Sequence, residues 1–267
     1  MRENNDGRET TDQFVSIASG DAPLSVLLGE LDLPPGTFIS DEPVTAAMRI
    51  PTGAGALDAM LGGGIESTAL TLFYGEGGSG KTNVCIQVAR SVASMNRKVL
   101  YIDTEGVSAE RMEQVFSPDL GRLKNLLFFR PQNFQEQEKV VDKVCKLNEK
   151  MDSGAIIMDS ATVFYRLDMG STKQSERASL TRMVLRLMRA ARTKDIPVIL
   201  TTQVYYDQER QSIEPIGGHM LLHNAKTIVK FERDPNQMSH RRAVLIKHRS
   251  LQEGQSCAIT LTSKGVE

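Results

Sequence analysis

A glycine-rich octapeptide near the start of the second quarter of the chain has the residue types of a phosphate-binding loop. It reads Gly75-Glu76-Gly77-Gly78-Ser79-Gly80-Lys81-Thr82 and fits the pattern G-x-x-x-x-G-K-[ST]. Its glycines let the backbone wrap an anion so that successive N–H groups point at it, and the following helix adds its positive end. Lys81 is placed to reach the β- and γ-phosphates, and Thr82 to offer a hydroxyl to Mg²⁺. The motif predicts a nucleoside triphosphate site, the alternative being a plain Gly-rich turn.

Two carboxylates follow apolar runs elsewhere in the chain. Asp159 comes directly after residues 155–158, where P-loop proteins carry a carboxylate for the Mg²⁺ water. Glu105 follows residues 100–104, and a carboxylate there can orient or deprotonate the water that attacks the γ-phosphate. In a parallel sheet both would lie at the carboxyl edge, beside the phosphates. The pair predicts a hydrolase, although a capping role for Asp159 and a surface turn for Glu105 remain alternatives.

Gln203 ends a third apolar run, residues 199–202. A neutral amide at that point can sense the γ-phosphate and relay its presence to residues 204–217. An ordinary polar residue at a strand end is the alternative, and the sequence alone does not decide between them.

Apolar strands alternate with helical patterns through the middle of the chain. The predicted strands are residues 69–74, 98–103, 126–130, 155–159 and 198–204, and the predicted helices are the segment after Thr82 and residues 109–116, 134–150 and 175–193. This alternation indicates an α/β fold with a mostly parallel, doubly wound sheet covered on both faces. Three further strands, at residues 227–233, 243–249 and 258–262, are joined by turn-rich pieces, so the end is expected to be antiparallel.

Composition excludes several classes of protein. The chain has 267 residues, 40% of them hydrophobic, and a net charge of −1, which excludes a histone-like polybasic protein and an acidic disordered one. The longest stretch without a charged residue is 11 residues, too short for a membrane-spanning helix, and the N-terminus lacks a signal-peptide pattern. Three cysteines without a CxxC pair argue against disulfides or a Cys-based zinc site. These features predict a cytoplasmic globular protein with no membrane partner.

The charge is unevenly distributed. Residues 1–47 carry two basic and nine acidic side chains, a net charge of −7, so the remaining residues 48–267 carry +6. We expect residues 1–47 to be an acidic leader, poorly ordered at least over residues 1–12, and residues 48–267 to form the core domain. The leader is hypothesised to compete with DNA for the basic body, so deleting residues 1–45 should tighten DNA binding at low salt.

Several blocks of the sequence, taken together, resemble the RecA/RadA recombinase superfamily and, within it, the archaeal RadB branch of RadA paralogues. The match covers roughly residues 50–265, and its blocks are LDAMLGGGIESTALTLFYGEGGSGKTN (57–83), YIDTEG (101–106), DSATVFYR (159–166), TTQV (201–204), PIGG (215–218), HNAKTIVKFER (223–233) and KHRS (247–250). The resemblance implies a RecA-type core that binds ATP and Mg²⁺. It places the phosphate loop, Glu105, Asp159 and Gln203 in the roles argued above. It also implies two DNA-facing loops, at about residues 168–175 and 205–216.

The sequence departs from strand-exchange recombinases in several places. No helix-hairpin-helix domain precedes the core, and the second loop is short. Thr202 stands where a recombinase usually has Asn, and residues 14–17 (FVSI) are not the F-x-x-A segment that links recombinase protomers. Residues 1–47 also extend beyond the resemblance. The RadB branch implies a weak ATPase that binds DNA without catalysing strand exchange.

Two basic segments are candidates for DNA contact. Residues 173–194 hold seven basic side chains and one acidic one, and four arginines fall on one helix face: Arg182, Arg186, Arg189 and Arg192. The alternatives are a solvated amphipathic helix, phosphate contact, or contact with a neighbouring protomer's nucleotide. Residues 226–249 hold seven basic and two acidic side chains, and the resemblance makes Lys247 and Arg249 candidates for a contact to a neighbour's ATP.

Aromatic and histidine residues add little to this picture. Tyr205 and Tyr206 can stack on bases or form the core of a hairpin. With no Trp and 5% aromatic residues, DNA binding is expected to be mainly electrostatic and salt-sensitive. His219 and His223 are four residues apart without a third ligand nearby, and we interpret them as structural.

The sequence therefore predicts an ATP-binding, DNA-binding accessory protein of homologous recombination and repair with slow ATP hydrolysis. Lys81, Glu105 and Gln203 are the predicted catalytic residues, and Thr82 and Asp159 the predicted metal ligands. RadA recombinase, other repair proteins and further copies of the chain are candidate partners. A full recombinase that forms filaments, and an adaptor that binds ATP without hydrolysing it, are the alternatives.

Overall fold

The computed structural model describes residues 47–167, 173–209 and 211–267, without the side chains of residues 166, 167, 173 and 174. The leader up to residue 46, the FVSI segment and most of the loop 168–175 lie outside the described residues. The division of the chain at residue 47 therefore stays a prediction.

Thirteen strands are present in the described ranges. They are β1 (Arg49–Ile50), β2 (Ile65–Glu66), β3 (Leu70–Gly75), β4 (Lys98–Asp103), β5 (Leu126–Phe129), β6 (Ser153–Asp159), β7 (Val198–Thr202), β8 (Val204–Asp207), β9 (Ser212–Pro215), β10 (Thr227–Arg233), β11 (His240–His248), β12 (Ser256–Thr262) and β13 (Gly265–Val266). The helices between them are α1 (Gly55–Met60), α2 (Lys81–Ser94), α3 (Ala109–Phe116), a 3-10 helix (Leu120–Asn125), α4 (Phe134–Lys150), α5 (Val163–Leu167), α6 (Lys173–Lys194) and α7 (Gly218–Asn224).

A nine-stranded sheet runs through the structure in the order β13-β12-β11-β10-β3-β7-β6-β4-β5. The six strands from β10 to β5 are parallel, and β11, β12 and β13 extend the sheet antiparallel beyond β10. The carboxyl ends of parallel strands meet at one edge of a sheet. Residues that follow β3, β4, β6 and β7 are therefore delivered to the same place.

Both faces of this sheet are covered by helices, as the uninterrupted apolar strands predict. On one face α2 buries Val84, Cys85, Val88, Ala89 and Val92. On the other face α4 and α6 pack side by side and bury residues such as Val141, Val144, Leu187 and Ala191. The α/β fold class with a mostly parallel sheet is confirmed.

Two details differ from the expectations. The strand predicted over residues 198–204 ends at Thr202, because the Gln203 carbonyl leaves the sheet and accepts the N–H of Ile216 at 2.8 Å. Residues 204–207 and 212–215 then pair as a separate two-stranded hairpin, β8 and β9. The first strand of the predicted antiparallel end, β10, pairs parallel with β3 on one side and antiparallel with β11 on the other.

Within the described residues, no helix has the length and apolar composition that crossing a membrane requires.

Candidate functional site

The loop between β3 and α2 has a backbone that only glycine accommodates at two positions. Gly80 has φ +104°, in the left-handed region, and it precedes the first residue of α2. At Gly75 an added Cβ would lie 2.2 Å from the Phe231 carbonyl oxygen, because β10 approaches the loop closely. The structure therefore has the glycine-lined cradle at a helix N-terminus that phosphate binding requires.

Lys81 lies inside this loop and is only 7% exposed. Its ammonium Nζ donates to the carbonyl oxygens of Gly75 at 2.8 Å and Glu76 at 2.9 Å. Burial lowers the pKa of the ammonium, while the carboxylates of Glu105 and Asp159 act in the opposite direction. The Lys81 ammonium is thus already held inside the phosphate loop. Phosphate oxygens, which are charged, would form stronger hydrogen bonds with it than the neutral backbone carbonyls do.

Asp159, at the end of β6, is a buried carboxylate with three hydroxyl neighbours. Tyr101 Oη donates to it at 3.1 Å, and the hydroxyls of Thr201 and Thr82 also bond to it. Burial raises the pKa of Asp159, and the three hydroxyl bonds counteract that rise. Thr82 and Asp159 thus bring a hydroxyl and a carboxylate together beside the phosphate loop.

These oxygens fit Mg²⁺, a hard cation that proteins usually hold with one or two carboxylates, water and substrate phosphates. Across the described ranges there is no group of three or more His, Cys, Asp or Glu residues that would hold a metal ion by itself. A metal at this site would accordingly depend on the phosphates of a bound nucleotide.

Glu105 and Gln203 meet at the same sheet edge. Gln203 Nε2 donates to Glu105 Oε1 at 3.1 Å, and Gln203 Oε1 is buried with no hydrogen-bond partner. Glu105 and Asp159 line one cavity of about 330 Å³ together with Thr82 and Arg111. The structure therefore brings together the predicted site residues, which come from four separate strand ends.

Arg111, on α3, is a cavity residue that the sequence analysis missed. Its Nε donates to Asn83 Oδ1 at 2.5 Å, and its Nη atoms reach the carbonyl oxygens of Ser263 and Gly265 at 3.3 Å. An arginine in the first turn of a helix is unfavourable next to the positive end of the helix dipole. The positive charge of Arg111 at this unfavourable position is the signal in the sequence that would have indicated that this arginine does something other than stabilise its helix.

Arg241, on β11, is the second residue missed. Its Nε donates to the carbonyl of Gly78 in the phosphate loop at 2.9 Å, and its Nη1 donates to the carbonyls of Met238 and His240. Only 7% of the residue is exposed. The alternation of buried positions along β11, which continues at Ala243 and Leu245, was the available signal that this arginine points inward.

The residues around the β8–β9 hairpin form a hydrogen-bonded base. The hydroxyl of Thr202 donates to the Ile216 carbonyl at 2.7 Å and lies 2.7 Å from the hydroxyl of Thr162. On β8 the side chains of Tyr205 and Tyr206 are 51% and 56% exposed, which argues against the hairpin-core role considered for them. Thr202, which replaces the Asn of recombinases, thus fixes the start of the hairpin to its end.

The arginine face of α6 is partly neutralised. Arg182 pairs with Glu138 at 3.2 Å, and Arg186 pairs with Asp142, both acids lying on α4. Arg189 is exposed and forms no ion pair with a described residue. For Arg182 and Arg186 the interpretation of a solvated, ion-paired helix face is therefore the better one.

The two candidates for a contact to a neighbour's nucleotide have partners within the chain. Lys247 Nζ donates to the carbonyls of Leu222 and His223 at the end of α7, and Arg249 makes two hydrogen bonds to the carboxylate of Glu66. The rings of His219 and His223 stack with their centroids 5.8 Å apart. These contacts give each of the four residues a role in holding the fold.

Comparisons with known proteins agree with this geometry. The Rad51 family model matches residues 44–267. The "DNA repair and recombination protein RadB" of Methanococcoides burtonii is 40% identical over 213 residues, covering 79% of this chain and 93% of its own. That of Thermoplasma acidophilum is 38% identical over 219 residues, covering 82% and 93%. A crystal structure of the RadB recombinase superimposes with a TM-score of 0.69 at 30% identity, covering 81% of this chain and 98% of that one.

Proposed function

The chain belongs to the Rad51 family and, within it, to the RadB group, and we propose that it binds ATP and DNA to assist homologous recombination and repair. In this proposal it hydrolyses ATP slowly and does not exchange strands itself. The observation that carries the proposal is the hydrogen bond from Gln203 to Glu105, because it joins an ATPase-type site to the hairpin that begins at residue 204.

The phosphate loop holds the nucleotide in this proposal. The N–H groups of Gly75, Glu76, Gly77, Gly78, Ser79 and Gly80 would surround the β-phosphate, and Lys81 would exchange its carbonyl partners for β- and γ-phosphate oxygens. Thr82 and Asp159 would hold Mg²⁺, which neutralises charge on the transferred phosphoryl group when bound. The hydroxyls of Tyr101 and Thr201 keep the Asp159 carboxylate in place.

Glu105 is proposed to orient and deprotonate the attacking water. It is exposed on the cavity side and shares that cavity with Thr82 and Asp159, so water can reach it. The amide of Gln203 would release Glu105 and turn toward the γ-phosphate when ATP is bound. Its Nε2 would then donate to a γ-phosphate oxygen, while Oε1, which is buried without a partner, has the capacity to accept a hydrogen bond from water.

ATP occupancy is proposed to set the hairpin's position. The side chain of Gln203 touches Glu105, while its backbone carbonyl accepts the N–H of Ile216 at the hairpin base. A movement of Gln203 on nucleotide binding would therefore be passed to Tyr205 and Tyr206. These exposed rings, and the basic surface of the core, would contact DNA.

The shortness of the hairpin supports an accessory role rather than strand exchange. Its strands have four residues each, and Thr202 ties its base. In recombinases of the superfamily an Asn usually occupies that position and the loop is longer. RadA recombinase and other repair proteins are the protein partners we propose.

ATP turnover by the pure protein, with and without single-stranded DNA, tests this function, with Lys81→Ala as the inactive variant. Lys124→Ala, an exposed lysine in the 3-10 helix that precedes β5, is the matched control. We expect slow turnover that Lys81→Ala abolishes and DNA changes little. Strong stimulation by DNA would instead identify a recombinase-like motor, and absence of turnover with retained ATP binding would identify a non-hydrolysing adaptor.

A further inference from the structure

Helix α4 carries a row of lysines along one face, which we call the lysine ridge: Lys139, Lys143, Lys146 and Lys150. All four are exposed. At 100° per residue, their spacings of four, three and four residues keep them within a sector of about 60°. At 1.5 Å per residue, the row is about 16 Å long.

The ridge is not neutralised by the described residues. Lys143 lies with its Nζ 5.9 Å from the centroid of the Phe129 ring, and none of the four lysines forms an ion pair in the described part of the chain. Two acids of the same helix are engaged by arginines of α6: Glu138 by Arg182, and Asp142 by Arg186.

The other two acids of α4 do not offset the ridge either. Glu136 accepts the backbone N–H of Gln132 at 2.9 Å near the start of the helix. Glu149 lies about 90° around the helix from the middle of the ridge, because neighbouring residues differ by 100°. Asp142 thus borders the ridge but is paired with Arg186, Glu138 is paired with Arg182, and Glu136 and Glu149 lie near the helix ends, so within the described residues no acid of α4 forms an ion pair with a ridge lysine.

The shape and chemistry of this strip fit a phosphate backbone better than a protein surface. The four lysine side chains of the ridge, together with Asp142 and Leu147, border a shallow hollow of about 370 Å³. No exposed large apolar side chain of the described chain lies on α4, whereas protein interfaces are centred on aromatic and apolar anchors and are poor in lysine. A duplex strand carries one phosphate per about 3.4 Å along its axis, so the ridge spans about five phosphates.

We propose that the lysine ridge binds the sugar-phosphate backbone of DNA, as a surface separate from the β8–β9 hairpin. The inference rests on the proposed DNA binding and assigns part of it to α4. The contact is electrostatic and independent of base sequence. It explains why Arg182 and Arg186 of α6 differ from the lysines of α4: the two arginines hold the helices together, and the lysines remain available.

Salt-dependent binding of a fluorescein-labelled DNA duplex tests the proposal on the full chain. The ridge variant is Lys139→Gln/Lys143→Gln/Lys146→Gln, which leaves Lys150 to support the helix end. The control variant is Arg90→Gln/Lys124→Gln/Lys264→Gln, which removes the same three positive charges from other elements. A third variant replaces the three ridge lysines by arginine and keeps the charge.

Each phosphate contact contributes about 0.9 to the slope of log K against log salt. Because the ridge variant removes three lysines, we expect it to lose about 2.7 units of that slope and roughly ten-fold or more in affinity at low salt. The control and arginine variants should bind as the unchanged protein does. The proposal would be overturned by a ridge variant whose slope is unchanged, or by a control variant whose slope falls as much as that of the ridge variant. An acidic protein surface would then be the better candidate for the partner of the ridge.

This outcome is distinguishable from failure of the proposed function. If the unchanged protein does not bind DNA at all, the proposed DNA-binding role is wrong and the ridge proposal falls with it. If the unchanged protein binds DNA and the ridge variant binds it equally well, the proposed DNA-binding role stands and the ridge proposal alone is wrong. Thermal unfolding of each variant checks that it is folded.

Discussion

Gln203 Nε2 and Glu105 Oε1 lie 3.1 Å apart, although 98 residues separate them and their strands, β7 and β4, are not neighbours in the sheet. Strand β6 runs between them and ends in Asp159. The hydrogen bond therefore joins residues from the strands on either side of β6, whose last residue is the proposed Mg²⁺ ligand. It connects the proposed general base with the first residue after β7.

Removing the charge of Glu105 should separate nucleotide binding from hydrolysis. In Glu105→Gln we expect ATP turnover to fall by about 100-fold or more, because general-base catalysis is lost. The nucleotide Kd should change little, since the phosphate loop and Asp159 are intact. Turnover and ATP affinity are measured side by side, with Glu110→Gln, an exposed acid on α3, as control. Equal turnover in both variants would show that Glu105 is not the general base.

Asp159→Asn should stabilise the nucleotide-free protein while impairing metal binding. Burial raises the pKa of Asp159, which means that the folded state disfavours its charge. An uncharged amide avoids that cost, and the surrounding hydroxyls can accept as well as donate. We expect a Tm higher by a few degrees, at about 2–4 °C per kcal/mol for a domain of this size. The further rise in Tm that Mg²⁺ adds in the presence of ATP should disappear. A lower Tm with Mg²⁺ dependence retained would contradict this role.

Arg241→Ala should weaken nucleotide binding through the phosphate loop. The lost hydrogen bond to the Gly78 carbonyl is charge-assisted, so we expect a cost of about 1–2 kcal/mol, or roughly ten-fold in Kd. The neighbouring Arg242→Ala is the control, since Arg242 is exposed and its side chain donates to Ser256 Oγ rather than to the phosphate loop. Arg241→Lys, which keeps the charge, should recover part of the affinity. A loss of Tm in Arg241→Ala without any change in nucleotide Kd would reduce Arg241 to a structural residue.

The hairpin should report on nucleotide binding. Because the chain contains no tryptophan, Tyr206→Trp places a single fluorophore on the exposed outer part of the hairpin. We expect its emission to change when ATP and Mg²⁺ are added. The same change should be absent when Gln203→Ala is combined with it, because the link from Glu105 to the hairpin base is cut. A signal that survives Gln203→Ala would place the coupling outside this residue.

Acidification should destabilise the turn that carries Arg249. His248 Nδ1 accepts the backbone N–H groups of Ser250 and Leu251 at 3.1 and 3.0 Å, which requires a neutral ring. Burial lowers the pKa of His248, with Arg49 and Arg249 acting in the same direction and Glu66 against them. The unfolded chain therefore binds a proton more readily, so stability is complete above about pH 6.5 and falls below it.

The measurement is Tm against pH for the unchanged protein and for His248→Asn. The variant should lose less Tm than the unchanged protein between neutral pH and about pH 5, because it has no ring to protonate. His219→Asn, an exposed histidine, serves as control and should retain the full slope. Parallel slopes in all three proteins would show that His248 is not the titrating group.

The fold was largely predictable because its signals are local. The apolar runs of β3, β4 and β6 and the octapeptide Gly75–Thr82 each carry their own pattern, and the structure places them as expected. The alternation of strands and helices along the chain also determines at which edge of the sheet Glu105 and Asp159 lie. Their meeting in one cavity follows from topology rather than from any property of the two residues alone.

The remainder depended on contacts between distant parts of the chain. Arg241 reaches Gly78 across 163 residues, and no periodicity announces the partner of a buried arginine. The arginines of α6 look like a free basic face until α4 supplies Glu138 and Asp142. Sequence shows where charge lies, but only the packed structure shows which charges are already neutralised.

The hydrogen bonds that close the base of the β8–β9 hairpin would let the whole hairpin rotate about that base as a lever arm. Each strand has four residues, so at about 3.3 Å per residue the arm is about 13 Å long. A rotation of about 10° at the pivot formed by Thr202, Gln203 and Ile216 would displace the far end by about 2 Å. Because the pivot is hydrogen-bonded, the arm would move as a rigid piece and lose little conformational entropy on contact. In the proposed coupling a short arm of this kind would exchange reach for stiffness, and the distance its end moves would be set by how far the Gln203 amide turns.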